Sequence, residues 1–279
     1  MEHSDGRAEG AGPFTTRVTS RLAGGGSVVW ESRRARKRGA LKVRAAGAAH
    51  GTSRSADAGT LARLGRLNLI ASGAFTLGGA LFALGAALGQ LGASGPTASA
   101  SIYFTGGLFF TTGGYASLLQ AINAPRRGGE PGSLVAVGWR WWSYEPMRIG
   151  WLSTFVLFTG TLVFGVNLLD SFLQGLTAQQ VNRLIWTPDL VGCLLFLVSG
   201  HLAIAEVCHG RPRLSPRGLD WWIVAVNQLG SVLFLIAALA AFTRPDTGSQ
   251  VNVDVANWGT FAGALCFSVG GVLQSFERP

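Results

Sequence analysis

His201 stands inside a long apolar run, GCLLFLVSGHLAIAEV. An imidazole in such a setting relays protons, senses pH or ligates a metal, or it simply hydrogen-bonds to a neighbouring helix. A second histidine for a bis-histidine haem is missing from the apolar runs: His209 follows this one, and His3 and His50 lie in a basic N-terminal segment. Asn167, near the outer side of its apolar run, and Asn227 and Gln228 in a later run are further polar groups. With His201 they form a candidate intramembrane polar site, and the structural alternative is hydrogen-bonding glue between helices. Gln120, Glu206 and Glu277 each close an apolar run. Together they would make a candidate cytoplasmic ring that attracts a cation, or else three interfacial residues in ordinary ion pairs. Negative charge at a helix C-terminus opposes the macrodipole, so Glu206 and Glu277 call for cationic partners. Arg148, Arg211, Arg213, Arg217 and Arg278 are the nearest candidates in the sequence.

Other chemistry has little to stand on. There is no nucleophile elbow, HExxH or pair of catalytic carboxylates, and AGGGS at Ala23–Ser27 lacks the Lys-Ser/Thr ending of a phosphate loop. Cys193, Cys208 and Cys266 are isolated and odd in number, which argues against a disulfide framework or a zinc site. No catalytic residue, metal ligand set or cofactor is expected, and nothing points to an enzyme.

The elements that would position these residues follow from composition. The chain is 48% hydrophobic and only 13% charged, too few charges to cover a water-facing surface. Six windows, about 67–91, 100–122, 150–173, 187–208, 219–242 and 258–276, are long and apolar enough to cross a bilayer as helices. Alternate connections differ in arginine: loops 124–149 and 209–217 and the C-terminal stub hold eight, against two in 92–99, 174–186 and 243–257. The positive-inside rule then places both termini in the cytoplasm, in a plasma (cell inner) membrane. Trp151, Trp186, Trp221, Trp222 and Trp258 at span starts suit an interfacial aromatic belt.

Residues 1–66 carry 13 Lys and Arg against five acids. With no apolar h-region, this stretch reads as a disordered basic tail whose SRRARKRGALKVR block is attracted to anionic lipid, in preference to nucleic acid. The loop GWRWWSYEPMRIGW (Gly138–Trp151) reads as an amphipathic interfacial anchor, or a surface for a lipid headgroup or partner.

One pattern recurs. Gly78, Gly160 and Gly230 are each followed four residues later by Phe82, Phe164 and Phe234. Gly106, Gly192 and Gly263 are followed at the same spacing by Phe110, Phe196 and Phe267, four residues further by Gly114, Gly200 and Gly271, and then by Gln120, Glu206 and Glu277. These nine glycines are expected to pack helices, with each phenylalanine filling the space beside a small residue. The expected fold is an all-α polytopic membrane protein of six transmembrane helices, built as three repeated helical hairpins around a pseudo-threefold axis. The expected division is a tail over 1–62, hairpins over 63–123, 148–209 and 210–279, and the Trp/Arg-rich loop over 124–147.

The phrase GALCFSVGGVLQSFE, with the preceding NQLGSVLF, resembles the bacterial YrhK-like membrane domain. The resemblance implies one two-span unit, covers the third hairpin best and the second acceptably, and departs in the first, where Gln120 replaces the closing acid. It bears on fold. For function the expectation is a structural or interaction component of the membrane, with the lipid bilayer as its partner and homo-oligomerisation open. The alternative is a small-solute or ion transporter or channel along the pseudo-axis, and a redox or enzymatic role comes last.

Overall fold

The computed structural model describes residues 7–22, 24–47, 51–130, 132–211 and 218–277. The N-terminal stretch corrects the expectation of a disordered tail. Strands β1 (Arg7–Ala11), β2 (Phe14–Arg21), β3 (Ser27–Glu31), β4 (Ala40–Arg44) and β5 (Thr52–Ser55) form an antiparallel sheet in sequential order. The local cause is alternation: along FTTRVTSR, Thr16, Val18 and Ser20 point inward while their neighbours point out. A short helix, α1 (Ser32–Arg38), interrupts the meander between β3 and β4. It ends on Gly39, whose φ of 56° suits a left-handed cap. A Cβ there would lie 2.8 Å from Leu61 and 3.2 Å from Leu64, so glycine also lets α1 approach the next helix.

That helix, α2 (Ala58–Gln90), is N-capped by Asp57, which accepts from the Thr60 amide at 2.9 Å. Its 33 residues span about 50 Å, more than the roughly 30 Å that a bilayer's hydrocarbon needs. There follow α3 (Pro96–Ile122), the short strands β6 (Arg126–Arg127) and β7 (Leu134–Val135), and α4 (Ile149–Asp170). Next come α5 (Ala178–Val181), a π-helical turn (Asn182–Trp186) and α6 (Thr187–Val207), which run continuously, then α7 (Leu219–Ala240) and α8 (Val253–Ser275). Five stretches are long and apolar enough to cross a membrane: Ala58–Gln90, Ile149–Asp170, Ala178–Val207, Leu219–Ala240 and Val253–Ser275. The remaining long helix, α3, is diluted by Gly, Ser and Thr.

The six long helices close into a ring. Each packs on the next in the order α2, α3, α4, α6, α7 and α8, and α8 returns to α2. The ring is apolar outward. Leu77, Leu108, Leu162, Leu194, Leu229 and Leu265, one from each helix, are all exposed, the reverse of a protein folded in water. Inside, the six spaced phenylalanines meet. Phe82 lies 5.6 Å from Phe164 and 6.3 Å from Phe234, and Phe164 lies 6.5 Å from Phe234 between ring centroids. Phe110, Phe196 and Phe267 form a second triangle with separations of 6.5, 5.5 and 6.1 Å. The two triangles are joined at 5.3, 5.8 and 5.3 Å through Phe82–Phe110, Phe164–Phe196 and Phe234–Phe267. The result is a prism of six buried rings on the axis.

The glycines make room for it. A Cβ at Gly106 would fall 2.7 Å from the Phe82 ring, one at Gly192 3.1 Å from Phe164 and one at Gly263 2.6 Å from Phe234. Gly78, Gly160 and Gly230 receive Phe110, Phe196 and Phe267 in return, at 2.9, 2.9 and 3.1 Å. The remaining three glycines seal seams between neighbours: Gly114 against Phe158 of α4, Gly200 against Gln228 of α7, and Gly271 against Ser72 and Thr76 of α2. Trp151 departs from the belt expected of it: it is buried and stacks on Phe155 at 4.8 Å, whereas Trp222 and Trp258 are exposed.

Candidate functional site at the capped end of the ring

Gln120, Glu206 and Glu277 all finish at one end of the ring and are 0%, 1% and 1% exposed. Helix α1 lies over them. Residues 33, 36 and 37 share one face of a helix, since three and four positions make about one turn. Arg33 binds Glu277 through both Nε (3.0 Å) and Nη2 (2.8 Å), the planar fork matching the carboxylate. Arg36 Nη2 donates to Glu206 at 2.7 Å, and Ser32 Oγ donates to the same carboxylate at 2.6 Å. Gly150, at the start of α4, admits this pair; a Cβ there would stand 2.7 Å from Glu206 and 3.0 Å from Arg36. Gln120, lacking charge, donates instead to the Leu64 carbonyl at 3.1 Å.

Lys37 completes the face. Its Nζ donates to Asn68 Oδ1 at 3.2 Å, and Asn68 in turn donates to the carbonyls of Gln274 (2.9 Å) and Glu277 (3.2 Å). Burial drives the Lys37 pKa down to about 7; Glu277 and Glu206 oppose that shift, and the neighbouring Arg36 and Arg33 guanidiniums reinforce it. For Arg33 burial also acts against the charge, but Glu277, Asp220 and Glu206 outweigh it and its pKa rises. Arg38, on the opposite side of α1, reaches Asp220 of α7 at 3.2 Å.

Among the described residues the partners of Glu206 and Glu277 therefore come from the N-terminal segment and not from the loop arginines. Arg148 pairs with Glu145 instead, and Arg213, Arg217 and Arg278 lie outside the described residues. The lipid-facing reading of the basic block is corrected too, for Arg33, Arg36 and Lys37, which are 8%, 5% and 3% exposed. The i, i+3, i+4 spacing of these three was a signal in the sequence, masked by the surrounding charge.

Beneath α1 is a cavity of about 90 Å³. Arg33, Arg36 and Lys37 form one side, Phe75, Phe196 and Phe267 are also in its wall, and Ser117, Ser153, Ser199, Asn227 and Gln274 contribute polar groups. Of the candidate intramembrane residues, Asn227 reaches this cavity. Gln228 turns against Gly200, and its Oε1 is buried with no hydrogen-bond partner among the described residues. Asn167 sits about 25 Å along α4 from Gly150, where it donates to Asp189 at 3.3 Å. His201 is exposed. The structure does not bring these four together.

A second cleft lies between the sheet and the ring, bordered by Arg17, Glu31, Lys42, His209 and Asp220. There His209, at a φ of 52°, holds Thr16 Oγ1 at 3.0 Å and docks the end of α6 on the sheet. Burial and Arg17 depress the His209 pKa, against the pull of Glu31 and Glu9. For Glu31, burial raises the pKa but Lys42 and Arg17 override it, leaving it lowered. Among the described residues no group of three or more His, Cys, Asp or Glu could hold a metal ion. No protein family, curated protein or solved structure matches this chain.

Proposed function

We propose that the chain is a non-conducting, multi-pass structural and interaction component of the membrane. In this reading three two-helix hairpins, copied in tandem and threading lipid in the same sense, form a six-span ring that holds a small β-domain at one face. The single observation that carries it is the prism of Phe82, Phe110, Phe164, Phe196, Phe234 and Phe267, which fills the axis with buried rings. The same prism weighs against the alternative of a solute or ion path along that axis. Equivalent positions making equivalent contacts support the threefold internal repeat, and with it the likeness to the YrhK-like two-span unit. Although α3 is less apolar than its neighbours, its 27 residues include no Asp, Glu, Lys or Arg, which supports counting it as the sixth span. The arginine bias of the connections supports a plasma-membrane protein with the β-domain and both termini cytoplasmic.

Reconstitution of the full chain in proteoliposomes tests the reading. Sodium, potassium, chloride and proton flux should equal that of empty vesicles, and flux above that level for any of the four overturns it.

A further inference from the structure

We propose that the cavity beneath α1 is a binding site for a small monovalent inorganic anion of the halide or nitrate class. It does not rest on the non-conducting reading, since a ring can hold an ion without passing it.

Charge is the first argument. Arg33, Arg36 and Lys37 line the cavity, whereas Glu206 and Glu277, which neutralise the two arginines, do not. The charged side chains in the cavity wall are therefore all cationic. With Lys37 protonated, three cations against two carboxylates leave one positive charge in excess, on Lys37, whose described partner is the neutral Asn68. An uncompensated buried ammonium is costly, and an anion beside it removes most of that cost.

Available donors are the second. The Ser153 and Ser199 hydroxyls are committed to each other's carbonyls at 3.0 and 2.8 Å. The side chains of Ser117 and Asn227 line the cavity and donate to none of the described residues. An ammonium, a side-chain amide and a hydroxyl around one space suit an anion, which needs donors, better than a cation, which needs acceptors.

Size is the third. At about 90 Å³ the cavity holds a few water-sized bodies, enough for a halide or nitrate with a water but too small for a nucleotide or lipid headgroup.

Chloride-35 line broadening on the full chain in detergent micelles, below pH 7 where Lys37 is charged and with gluconate as the bulk anion, tests the site. Wild type should show excess broadening that nitrate displaces at a single saturable site. Lys37→Met should bind chloride at least tenfold more weakly and Asn227→Leu at least threefold more weakly, while Arg34→Gln, on the outer side of α1, should match wild type. Gel filtration and circular dichroism check folding; should Lys37→Met misfold, Asn227→Leu decides the same point. Absence of nitrate-displaceable broadening in folded wild type overturns the proposal. So does wild-type affinity in a folded Lys37→Met or Asn227→Leu protein.

Discussion

Arg33 and Glu277 are 244 positions apart in the chain, yet they share two hydrogen bonds of 3.0 and 2.8 Å in a buried, fork-to-fork pair. The contact joins the first quarter of the polypeptide to its last described residue, and it fastens the β-domain to the ring. A sheet with so few large apolar side chains (Val18, Val28 and Leu41 are the main buried ones) does not bury enough surface to stand alone. Docking on the ring is part of its fold.

Removing one partner of that pair should therefore cost far more than removing both. Glu277→Gln leaves a buried guanidinium without its counter-charge, an expected loss of about 3–5 kcal/mol. The double variant Arg33→Met with Glu277→Leu should recover most of it. Denaturation of wild type and the two variants in detergent, followed by tryptophan fluorescence, reads the difference; a double variant no more stable than Glu277→Gln would contradict a coupled pair.

Lys37 makes stability depend on pH in a defined direction. Its pKa is about 7 in the folded protein and 10.5 as the ordinary value, so between those limits the unfolded chain holds more protons. Below about pH 7 the penalty for burying the charged amine is fully present. It is relieved as pH rises toward 10.5 and changes no further beyond that. Wild type should thus gain stability relative to Lys37→Met, measured as the difference in unfolding free energy, from pH 7 to pH 10. A gap that stays flat, or that moves against wild type, would count against an ammonium buried under the two arginines.

The aromatic prism should be the least replaceable part of the ring. Phe82 touches Tyr103, Phe110, Phe164 and Phe234, so Phe82→Ala is expected to cost about 3–5 kcal/mol. Leu84→Ala, two residues away on the exposed side of the same helix, should cost under about 0.5 kcal/mol in a lipid or detergent environment. Equal losses from the two would place the core elsewhere.

Two glycines of α2 should respond oppositely to alanine. A Cβ at Gly79 would stand 2.7 Å from both the Ala264 carbonyl and the Ser268 amide, backbone atoms of α8 that cannot turn aside. Gly79→Ala should open the seam that closes the ring and cost about 1–3 kcal/mol. Gly73 faces open space, and Gly73→Ala should be neutral or stabilising by up to about 1 kcal/mol through higher helix propensity. Thermal unfolding in the same detergent separates the two, and destabilisation by Gly73→Ala would be the unexpected result.

Helix positions and the packing role of the small residues were legible before any coordinates, because both depend on local features. A run of apolar residues of sufficient length must satisfy its own backbone in lipid, and a glycine followed by phenylalanine one turn on sets a small site beside a large one. The need of Glu206 and Glu277 for cationic partners is likewise local, since each closes an apolar run at a helix C-terminus. Arg33 and Arg36 are not legible as those partners, because sequence distance says nothing about which cation folds back over a helix end. The period-two alternation of FTTRVTSR and SVVWE is a strand signal in the sequence, hidden by the dense charge around it. Tertiary structure alone decided that residues 33, 36 and 37 lie buried over the ring, that Asn227 joins them at a cavity, and that His201 faces outward. The reason is physical: an apolar run fixes its own preference for lipid one residue at a time, whereas the worth of a buried charge depends on a partner that only the folded chain can bring within 3 Å.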